Sequence, residues 1–412
     1  MKKSIITSLL LFISVFTFAQ STNKSMLRLP DTGQKNSYTN TFGEDNDYSI
    51  NLPYYIDNKN GTITDTITGL MWQQTDGGEM TIENATIYCD TLIIGTFTNW
   101  RLPNAHEAFS ILNLQNNNPA LDILYFTKTT AQYWWTSDKQ ANDANKIWCT
   151  NVGGGIGNHQ KTETISAGGT KYFNVRAVRD VTTPTVIPNH FTDNGNETIT
   201  DNLTNLVWQK IPNTNAVSWE NALLYANNLI LENDSDWRMP NIKELQSLND
   251  EGFVSPSVNT SIFSNIGVKK YWSSTTQQNQ SANAWYWNTQ FGITTYDPKI
   301  NSNYIICVRT NTSKSSTNIN AIKNKNIGLM VYPNPANNKV NFVFNNLDKT
   351  PIKIIIYNSL NQNVWEQKSE SNEMNSLEWN TENMLAGIYY YQIETIKNNE
   401  SVYQYGKLLL KH

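Results

Sequence analysis

The chain has 412 residues, with 31 Lys and Arg against 35 Asp and Glu, a net charge of −4 and only 16% charged residues. This length predicts two or three domains, each large enough to bury its own core. Dedicated nucleic-acid-binding proteins usually carry a strong basic excess, so the charge balance argues against that class.

Residues 1–19 have the pattern of a secretory signal peptide. Lys2 and Lys3 precede an apolar stretch at residues 5–18, and a small-residue cleavage site stands before Gln20. The apolar stretch is short for a spanning helix, and no later stretch is long enough to replace it. We therefore expect export and no transmembrane segment in the mature chain. Residues 20–54, which are polar and irregular, are predicted to form an N-terminal leader or edge segment.

A block of about 120 residues occurs twice, which predicts two copies of one domain. We expect copy 1 at residues 55–180 and copy 2 at residues 191–310, joined by a stiff Pro-containing linker at 181–190. Three motifs recur in the same order at a nearly constant offset: Leu-Met-Trp-Gln (70–73) and Leu-Val-Trp-Gln (206–209), Trp-Arg-Leu-Pro-Asn (100–104) and Trp-Arg-Met-Pro-Asn (237–241), Trp-Thr-Ser (135–137) and Trp-Ser-Ser (272–274).

Each copy is predicted to combine two helices with short strands. Residues 61–72 alternate β-branched and polar side chains around a turn, as two short strands would. Thr81 and Ser218 are placed to begin a first helix, and Pro103 and Pro240 to open a second one. The remainder of each copy is strand-like.

The residues inside the repeated motifs are predicted to be structural. Arg101 and Arg238 are expected to form ion pairs with Glu107 and Glu244 in the first turn of the second helix. The repeated tryptophans are expected in the core because each buries a large apolar area. They are Trp72, Trp100, Trp135, Trp208, Trp237 and Trp272.

Beyond a polar linker at residues 311–327, residues 328–412 contain regularly spaced β runs with no helix signal. This texture predicts a small all-β sandwich of the immunoglobulin-like kind.

Each copy resembles the Lcl C-terminal domain family. The resemblance rests on Thr-Gly-Leu-Met-Trp at 68–72, Tyr-Cys at 88–89, and the motifs at 100–104, 135–137 and 178–179, most of which recur in copy 2. It implies an α+β, C-type-lectin-like fold of two helices packed on short antiparallel strands. It also implies binding, because the named member ends a collagen-like adhesin that binds sulfated glycans.

The tail resembles the type IX secretion C-terminal sorting domain. It carries Val-Tyr-Pro-Asn-Pro at 331–335, Ile-Ile-Ile-Tyr-Asn at 354–358, Leu-Ala-Gly-Ile-Tyr-Tyr-Tyr at 385–391 and Gly-Lys-Leu-Leu-Leu-Lys at 406–411. The resemblance implies Sec export, the type IX machinery as a partner, and release from the cell or attachment to its surface. The predicted fold class is therefore α+β, with two tandem C-type-lectin-like domains and the immunoglobulin-like sandwich.

Ligand contacts are predicted where the two copies differ. Copy 1 has extra length in a Gly-rich segment at residues 153–169, and long loops on rigid scaffolds often carry function. Asn158, His159 and Lys161 in this segment are suited to a polar or anionic ligand. A solvated flexible loop is the alternative.

In copy 2, residues 285–290 are predicted to form a strand. Matching Trp287 to Trp148 places the tryptophan face in the core and the other face in solvent. An aromatic ring beside amides suits a sugar, although an ordinary solvated strand remains an alternative. The predicted ligand-binding residues of copy 2 are Tyr286, Asn288 and Gln290, with Tyr296 and Asp297 in the following loop.

The sequence predicts at most one disulfide and offers no recognisable metal-binding motif. Export permits a disulfide, and Cys89 with Cys149 is the favoured pair among three cysteines. No resident cofactor or metal is expected. The Asn/Asp/Gly clusters at 57–61 and 193–197 depart from the EF-hand pattern and favour β-turns, while calcium bound by some other ligand set stays open.

No catalytic signature surrounds the four histidines. The predicted function is therefore non-enzymatic recognition of glycans or extracellular matrix by a secreted or surface-attached protein. An enzyme acting on polysaccharide or protein, and a scaffold that binds another envelope protein, are the alternatives.

Overall fold

The computed structural model describes residues 22–48, 50–164, 172–311, 330–332, 336–343, 351–358, 362–369, 376–397 and 400–411. The predicted signal peptide and almost all of the 311–327 linker lie outside these ranges. The regular secondary structure of the described part is mostly β-strand, with few helices. Within it, no helix has both the length and the apolar character needed to cross a membrane.

Copy 1 contains two antiparallel sheets and two helices. The elements up to its end are β1 (Thr22–Lys24), β2 (Tyr55–Asp57), β3 (Thr62–Asp65), β4 (Leu70–Gln73), α1 (Ile82–Thr91), α2 (Ala105–Ser110), β5 (Tyr133–Gln140), β6 (Asp143–Asn151), β7 (Ile156–Gln160) and β8 (Val178–Asp180). One sheet has the order β2-β3-β4-β8 and the other β5-β6-β7. Strand β8 closes the first sheet from the far end of the copy, so the chain returns to its starting point.

Copy 2 repeats this arrangement. Its elements, with the linker strand first, are β9 (Thr185–Ile187), β10 (Phe191–Asp193), β11 (Thr198–Asp201), β12 (Leu206–Gln209), α3 (Trp219–Asn228), α4 (Ile242–Ser247), β13 (Lys270–Thr276), β14 (Asn283–Asn288), β15 (Ile293–Pro298) and β16 (Val308–Thr310). The sheet orders, β10-β11-β12-β16 and β13-β14-β15, match those of copy 1. Linker strand β9 pairs with β1 at the start of the chain.

A capping box starts the second helix of each copy. Asn104 accepts a hydrogen bond from the backbone N–H of Glu107, and the Glu107 carboxylate accepts one from the backbone N–H of Asn104. Asn241 and Glu244 do the same for α4. These reciprocal bonds satisfy backbone donors that a helix leaves unpaired at its start, so the motif fixes where the helix begins.

The predicted arginine–glutamate pairs are confirmed in both copies. Arg101 binds Glu107 through two nitrogens at 2.7 and 2.9 Å, and Arg238 binds Glu244 at 2.6 and 2.6 Å. The Arg238 side chain is 5% exposed and that of Arg101 is 36% exposed, where it also reaches Asp180 at 3.0 Å. The same motif is therefore buried in copy 2 and half-open in copy 1.

The six repeated tryptophans are confirmed as core residues, with exposures between 0% and 3%. One apolar cluster runs through both copies and includes Trp72 and Trp148 of copy 1 with Trp208, Trp285 and Trp287 of copy 2. The two copies therefore share one hydrophobic core and are not independently packed domains.

The copies meet through their second helices and through the third strands of their second sheets. On α2, His106 lies 3.2 Å from the Glu251 carboxylate of copy 2. On α4, the ammonium of Lys243 donates to the backbone carbonyls of Ser110 and Asp31, both at 2.7 Å. Burial alone would lower the pKa of His106, but the Glu251 carboxylate outweighs it and raises that pKa to about 9.

The N-terminal segment (residues 22–52) is built into this pair of copies. The Gln34 amide bonds the backbone of Thr276 in both directions, and Asn227 of α3 donates to the carbonyl of Phe42. The Tyr48 ring faces the Arg238 guanidinium at 5.3 Å. As a result Ser274, Thr275 and Thr276 are buried, whereas the equivalent face of β5 in copy 1 is largely open to solvent.

Asp45 is the central anchor of this segment. Its carboxylate accepts hydrogen bonds from Thr32 at 2.8 Å and from Thr275 at 2.5 Å. Thr275 in turn accepts the backbone N–H of Ile242 at the start of α4, the role that Asp138 has for α2. Burial, with the nearby Asp31 carboxylate, raises the pKa of Asp45 to about 8. In copy 2 the residue that binds the start of α4, Thr275, is therefore held by a buried carboxylate of the N-terminal segment. In copy 1 the start of α2 is bound directly by Asp138 of β5.

The tail is a two-sheet β-structure. Its strands are β17 (Met330–Tyr332), β18 (Lys339–Val343), β19 (Ile352–Tyr357), β20 (Asn363–Ser369), β21 (Ser376–Asn380), β22 (Gly387–Lys397) and β23 (Glu400–Leu410). The sheets have the orders β17-β18-β21 and β20-β19-β22-β23 and contribute to one apolar cluster that contains Phe342, Ile354, Trp379 and Leu408. This is the layered arrangement expected of a small sandwich.

Candidate binding site

The strand register shows which residues of the two second sheets are equivalent. In copy 1, Trp135 lies opposite Cys149 on the neighbouring strand, and in copy 2 Trp272 lies opposite Tyr286. Tyr286 therefore takes the place of Cys149. Trp285 takes the place of Trp148, since Ser273 and its counterpart Thr136 donate to the carbonyls of these two tryptophans.

This register corrects two sequence-based predictions. Trp148 does not match Trp287, and Tyr286 is not on a solvent face, because its exposure is only 7%. Strand β14 is the central strand of its sheet and is covered on both sides. Trp285 packs into the core shared by the two copies, and Tyr286 packs into the apolar cluster of copy 2 beside Trp272.

Asp297 organises a polar cluster at the surface of copy 2. Asn301 donates to one oxygen of its carboxylate at 2.8 Å and Asn303 to the other at 3.3 Å. The Lys270 ammonium lies 3.8 Å from the same carboxylate and 4.8 Å from the centre of the Tyr286 ring. We call Lys270, Tyr286, Asp297, Asn301 and Asn303 the Asp297 cluster. It combines a carboxylate, two amides, an ammonium and a phenol ring in one patch.

The other predicted residues of copy 2 do not join this cluster. Asn288 is half-buried and its amide oxygen accepts the backbone N–H of Gln290 at 3.0 Å, which closes the turn after β14. Gln290 itself is exposed in this turn. Tyr296 is 45% exposed and packs edge-on against Trp285 on the opposite face of β15 from Asp297.

Two predicted residues of copy 1, Asn158 and His159, lie on the equivalent strand, β7, and Lys161 follows directly after it. Asn158 lies opposite Trp148 as Tyr296 lies opposite Trp285, and His159 lies opposite Ile147 as Asp297 lies opposite Ala284. One neighbouring pair from each predicted set, Asn158 and His159 in copy 1 and Tyr296 and Asp297 in copy 2, therefore falls on matching positions. Within each set, the two neighbouring side chains point to opposite faces of the strand.

His159 has an aromatic environment where Asp297 has a polar one. Its ring lies edge-on to Tyr133 at 4.8 Å and to Phe173 at 5.3 Å between centres, and Nδ1 lies 3.2 Å from the Glu163 carboxylate. Lys161 pairs with Glu83 of α1 at 3.1 Å. Copy 1 thus uses this surface for aromatic packing and exposed ion pairs.

The start of the Gly-rich segment is packed against copy 2. A Cβ at Gly154 would stand 2.6 Å from a Leu114 methyl and 3.6 Å from the Trp285 ring, and one at Gly155 would stand 3.5 Å from that ring. The backbone N–H of Ile156 donates to the Thr294 hydroxyl across the seam at 3.1 Å. These glycines allow two backbones to approach closely, so this part is not an open loop. Residues 165–171 lie outside the described ranges.

The predicted disulfide is not formed. Cys89, Cys149 and Cys307 are all free thiols and all buried. Cys89 on α1 and Cys149 on β6 pack into the same apolar cluster as unlinked side chains. Burial raises the pKa of Cys89 to about 12 and that of Cys149 well above its usual value, which leaves both thiols protonated and unreactive.

Metal ligation has no cluster to use within the described ranges, where no group of three or more His, Cys, Asp or Glu side chains is placed to hold an ion. The Asn/Asp/Gly clusters form turns, as predicted: Asn58 donates to the hydroxyls of Thr62 and Thr64, and Asn194 to those of Thr198 and Thr200.

Among the residues of the Asp297 cluster, Lys270, Asn301 and Asn303 were not singled out from sequence. The polar run from Asp297 to Asn303 is the one local signal for the last two.

Comparison with protein families identifies both parts of the chain. The Lcl C-terminal domain matches residues 61–179 and 197–309, and the secretion system C-terminal sorting domain matches residues 330–405. The two Lcl matches together span more than half of the chain, which belongs to the Lcl C-terminal domain family. The sorting domain marks it as a secreted or cell-surface protein that interacts with the type IX secretion machinery.

Comparison with curated proteins gives no match. Among solved structures, one match is to PorZ, described as an essential bacterial surface component of the type-IX secretion system of Porphyromonas gingivalis. The identity is 11%, and the match covers 68% of this chain and 30% of that chain with a TM-score of 0.18. A similarity at that level carries no argument about fold or function.

Proposed function

We propose that this protein is a non-enzymatic binding protein, released or displayed at the cell surface, that recognises glycans through the Asp297 cluster of copy 2. The observation that carries the proposal is the contrast at one equivalent position. Copy 1 fills it with the aromatic packing of His159, whereas copy 2 places Asp297 there with two amides and an ammonium.

The chemistry of the cluster suits sugar hydroxyls. A hydroxyl both donates and accepts, and the cluster offers a carboxylate acceptor beside amide and ammonium donors. The Lys270 side chain is 47% exposed, with its ammonium 4.8 Å from the centre of the buried Tyr286 ring, so it is an accessible donor of the cluster. As part of the same proposal, each copy has the C-type-lectin-like fold that the family resemblance implies, and the natural ligand is a glycan, including those of the extracellular matrix.

The test is a glycan array with the full mature chain, run with and without calcium. Asp297→Ala and Asn301→Ala should abolish saturable binding, because they remove the acceptor and one donor of the cluster. His159→Ala, at the equivalent position of copy 1, is the matched control and should bind as the wild type does. A blank array in both conditions, or binding that survives Asp297→Ala, would overturn the proposal.

We also propose that binding proceeds without turnover or a resident cofactor. In the Asp297 cluster the carboxylate stands among amides and a lysine, without the second carboxylate that glycoside hydrolysis commonly uses. Bound glycans recovered unchanged after prolonged incubation would agree with this. Release of shorter products, lost in Asp297→Asn, would instead favour the polysaccharide-degrading alternative.

One observation favours a protein partner as a second candidate. Large apolar side chains are exposed at equivalent positions of the two copies, with Ile87 at 60% and Leu224 at 47%, and Ile93 at 68% and Ile230 at 64%. Repeated exposed apolar groups suit a partner that contacts both copies. The double variant Ile93→Ser, Ile230→Ser should then lose a specific envelope partner that crosslinks to the wild type, while glycan binding is retained.

A further inference from the structure

Copy 1 has a buried, charged interior site that copy 2 lacks. Arg176 is 3% exposed and packs against Phe126, with its Cζ 5.3 Å from the ring centre. One guanidinium nitrogen, Nη1, donates to the carbonyls of Gln73 and Gln74 at 2.8 and 2.5 Å. The other, Nη2, has no hydrogen-bond partner among the residues that the structure describes. Leaving a buried charged donor unpaired costs more than leaving a neutral one, so this nitrogen requires an explanation.

The nearest carboxylate does not satisfy Nη2. Asp76 lies 3.8 Å away, beyond hydrogen-bonding distance. Its oxygens instead accept from the Thr129 hydroxyl at 2.6 Å, the Trp134 indole at 3.2 Å and the Asn174 amide at 3.0 Å. The carboxylate is therefore committed to other donors, and it neutralises the guanidinium only at a distance. Burial accordingly lowers the pKa of Arg176 to about 10.

A second buried donor without a partner in the described structure belongs to a residue that lines the same cavity. Arg176 and Trp72 both line a small internal cavity of copy 1, and the indole N–H of Trp72, at 0% exposure, also has no partner. The remaining walls are mainly apolar, with Ile111, Leu112 and Leu121 among them, and include Thr150 as a residue with a side-chain hydroxyl. The space accommodates a body of about the size of a water molecule or a single halide ion and is too small for a sugar or a phosphate.

Copy 2 has an apolar residue in place of the arginine and a larger side chain in place of Thr150 at the wall of the site. The position of Arg176 is taken by Ile306, as shown by the matching bonds from Ala177 and Cys307 to the equivalent glutamines Gln73 and Gln209. The strand register places Trp287 where copy 1 has Thr150. Trp208, the counterpart of Trp72, keeps an indole N–H without a partner in the described structure, but Ile306 stands where copy 1 has Arg176. The site is thus specific to copy 1.

We propose that copy 1 binds a single monovalent halide ion, chloride under ordinary conditions, between the guanidinium Nη2 of Arg176 and the indole N–H of Trp72. Both protein groups are donors, which suits an ion that only accepts. A water molecule would accept both bonds but would bring two hydrogens of its own into a largely apolar cavity. The bound ion also supplies the negative charge that Asp76 provides only at 3.8 Å.

The test compares thermal unfolding of the full mature chain in sodium chloride, sodium bromide and sodium gluconate at one ionic strength. Halide should raise Tm by about 2–4 °C over gluconate. Trp72→Phe removes one donor while keeping the ring and should reduce that shift, and Arg176→Met should abolish it. Trp208→Phe, the matched control in copy 2, should leave the halide shift unchanged.

Crystals grown in bromide give a second readout that does not depend on how well a variant folds. An anomalous peak between Arg176 and Trp72 is expected. Equal Tm values in halide and gluconate, or a bromide crystal without an anomalous peak in the cavity, would show that the site holds water only and would overturn the proposal. A halide shift that persists in Trp72→Phe but disappears in Trp208→Phe would place the ion elsewhere and would also overturn it.

Discussion

His106 of copy 1 and Lys243 of copy 2 occupy the same position of the repeated second helix, and each reaches across the seam to the other copy. His106 meets a carboxylate, Glu251, whereas Lys243 meets the backbone carbonyl of Ser110 in copy 1 and that of Asp31 in the N-terminal segment. The repeat is therefore nearly symmetric in its contacts but not in its chemistry. The charges at the seam make the association of the copies sensitive to pH in a way that can be assigned to single residues.

The His106 pair should stabilise the fold at neutral and mildly acidic pH. The folded-state pKa is about 9 against about 6.5 unfolded, so the stabilisation is complete below pH 6.5 and disappears as pH rises through 9. The partly exposed ring limits the effect to about 1–2 kcal/mol. Urea unfolding of wild type and His106→Asn between pH 6 and 9.5 measures it, and the difference between the two should shrink with pH. A constant difference would contradict this assignment.

Asp45 should destabilise the folded protein more strongly as the pH rises. Its pKa is about 8 in the folded state against 3.8 unfolded, so the folded protein holds a proton that the unfolded chain has lost between these values. Stability contributed at this site therefore falls from pH 4 to pH 8. Asp45→Asn keeps an acceptor for Thr32 and Thr275 and should flatten the fall. An unchanged slope of unfolding free energy against pH in the variant would refute the prediction.

The two arginine–glutamate pairs form a matched experiment on burial. Arg238→Met leaves the Glu244 carboxylate buried without its partner and should cost about 3–5 kcal/mol in the free energy of unfolding. Arg101→Met should cost less than Arg238→Met, because the 36% exposed Arg101 is partly screened by water, although the change also leaves a buried carboxylate, that of Glu107, without its partner. Chemical denaturation of both variants checks the order. Equal costs would mean that burial in copy 2 adds nothing to the pair.

Gly154 should tolerate no side chain. Its φ of +100° is already unfavourable for an L residue, and an added Cβ would stand 2.6 Å from a Leu114 methyl. Gly154→Ala is expected to cost about 2–4 kcal/mol. Gly195→Ala, at φ +72° with open space around it, isolates the backbone strain and should cost about 1 kcal/mol. Similar losses in the two variants, measured by unfolding in urea, would rule out close packing at the seam.

All three cysteines should be reduced and unreactive in the folded protein. Burial keeps the thiols protonated, so thiol reagents should label none of them under native conditions. After denaturation without reductant, mass spectrometry should show three labels. One label instead of three would reveal a disulfide between two of Cys89, Cys149 and Cys307.

Features encoded by short sequence spacings could be predicted. The three-residue step from Asn104 to Glu107 specifies a helix start, and the six-residue step from Arg101 to Glu107 specifies the ion pair. The repeated tryptophans within such motifs are correctly predicted in the core, because the large apolar area of each ring strongly favours burial. Each of these signals is complete within a few residues of sequence.

The surface of copy 2 could not be predicted in the same way. Strand alternation places Trp285 and Trp287 on one face, so it cannot decide which of them corresponds to Trp148. The prediction also assumes that one face of β14 is exposed to solvent. In the structure both faces are buried, because Trp285 and Tyr286 pack into different apolar clusters on the two sides of the strand. Lys270 joins Asp297 only through the pairing of strands, which no local pattern records.

The N-terminal segment sets an order of events for folding. Gln34 bonds Thr276, 242 residues further along the chain, and Thr275 holds Asp45 across 230 residues. The first part of the described chain to be synthesised therefore has its partners on β13 of copy 2, which is made much later. Contacts of such long sequence separation form slowly, because a large loop must close before they contribute. The last step in the folding of copy 2 is therefore expected to be the docking of the N-terminal segment of the chain onto β13.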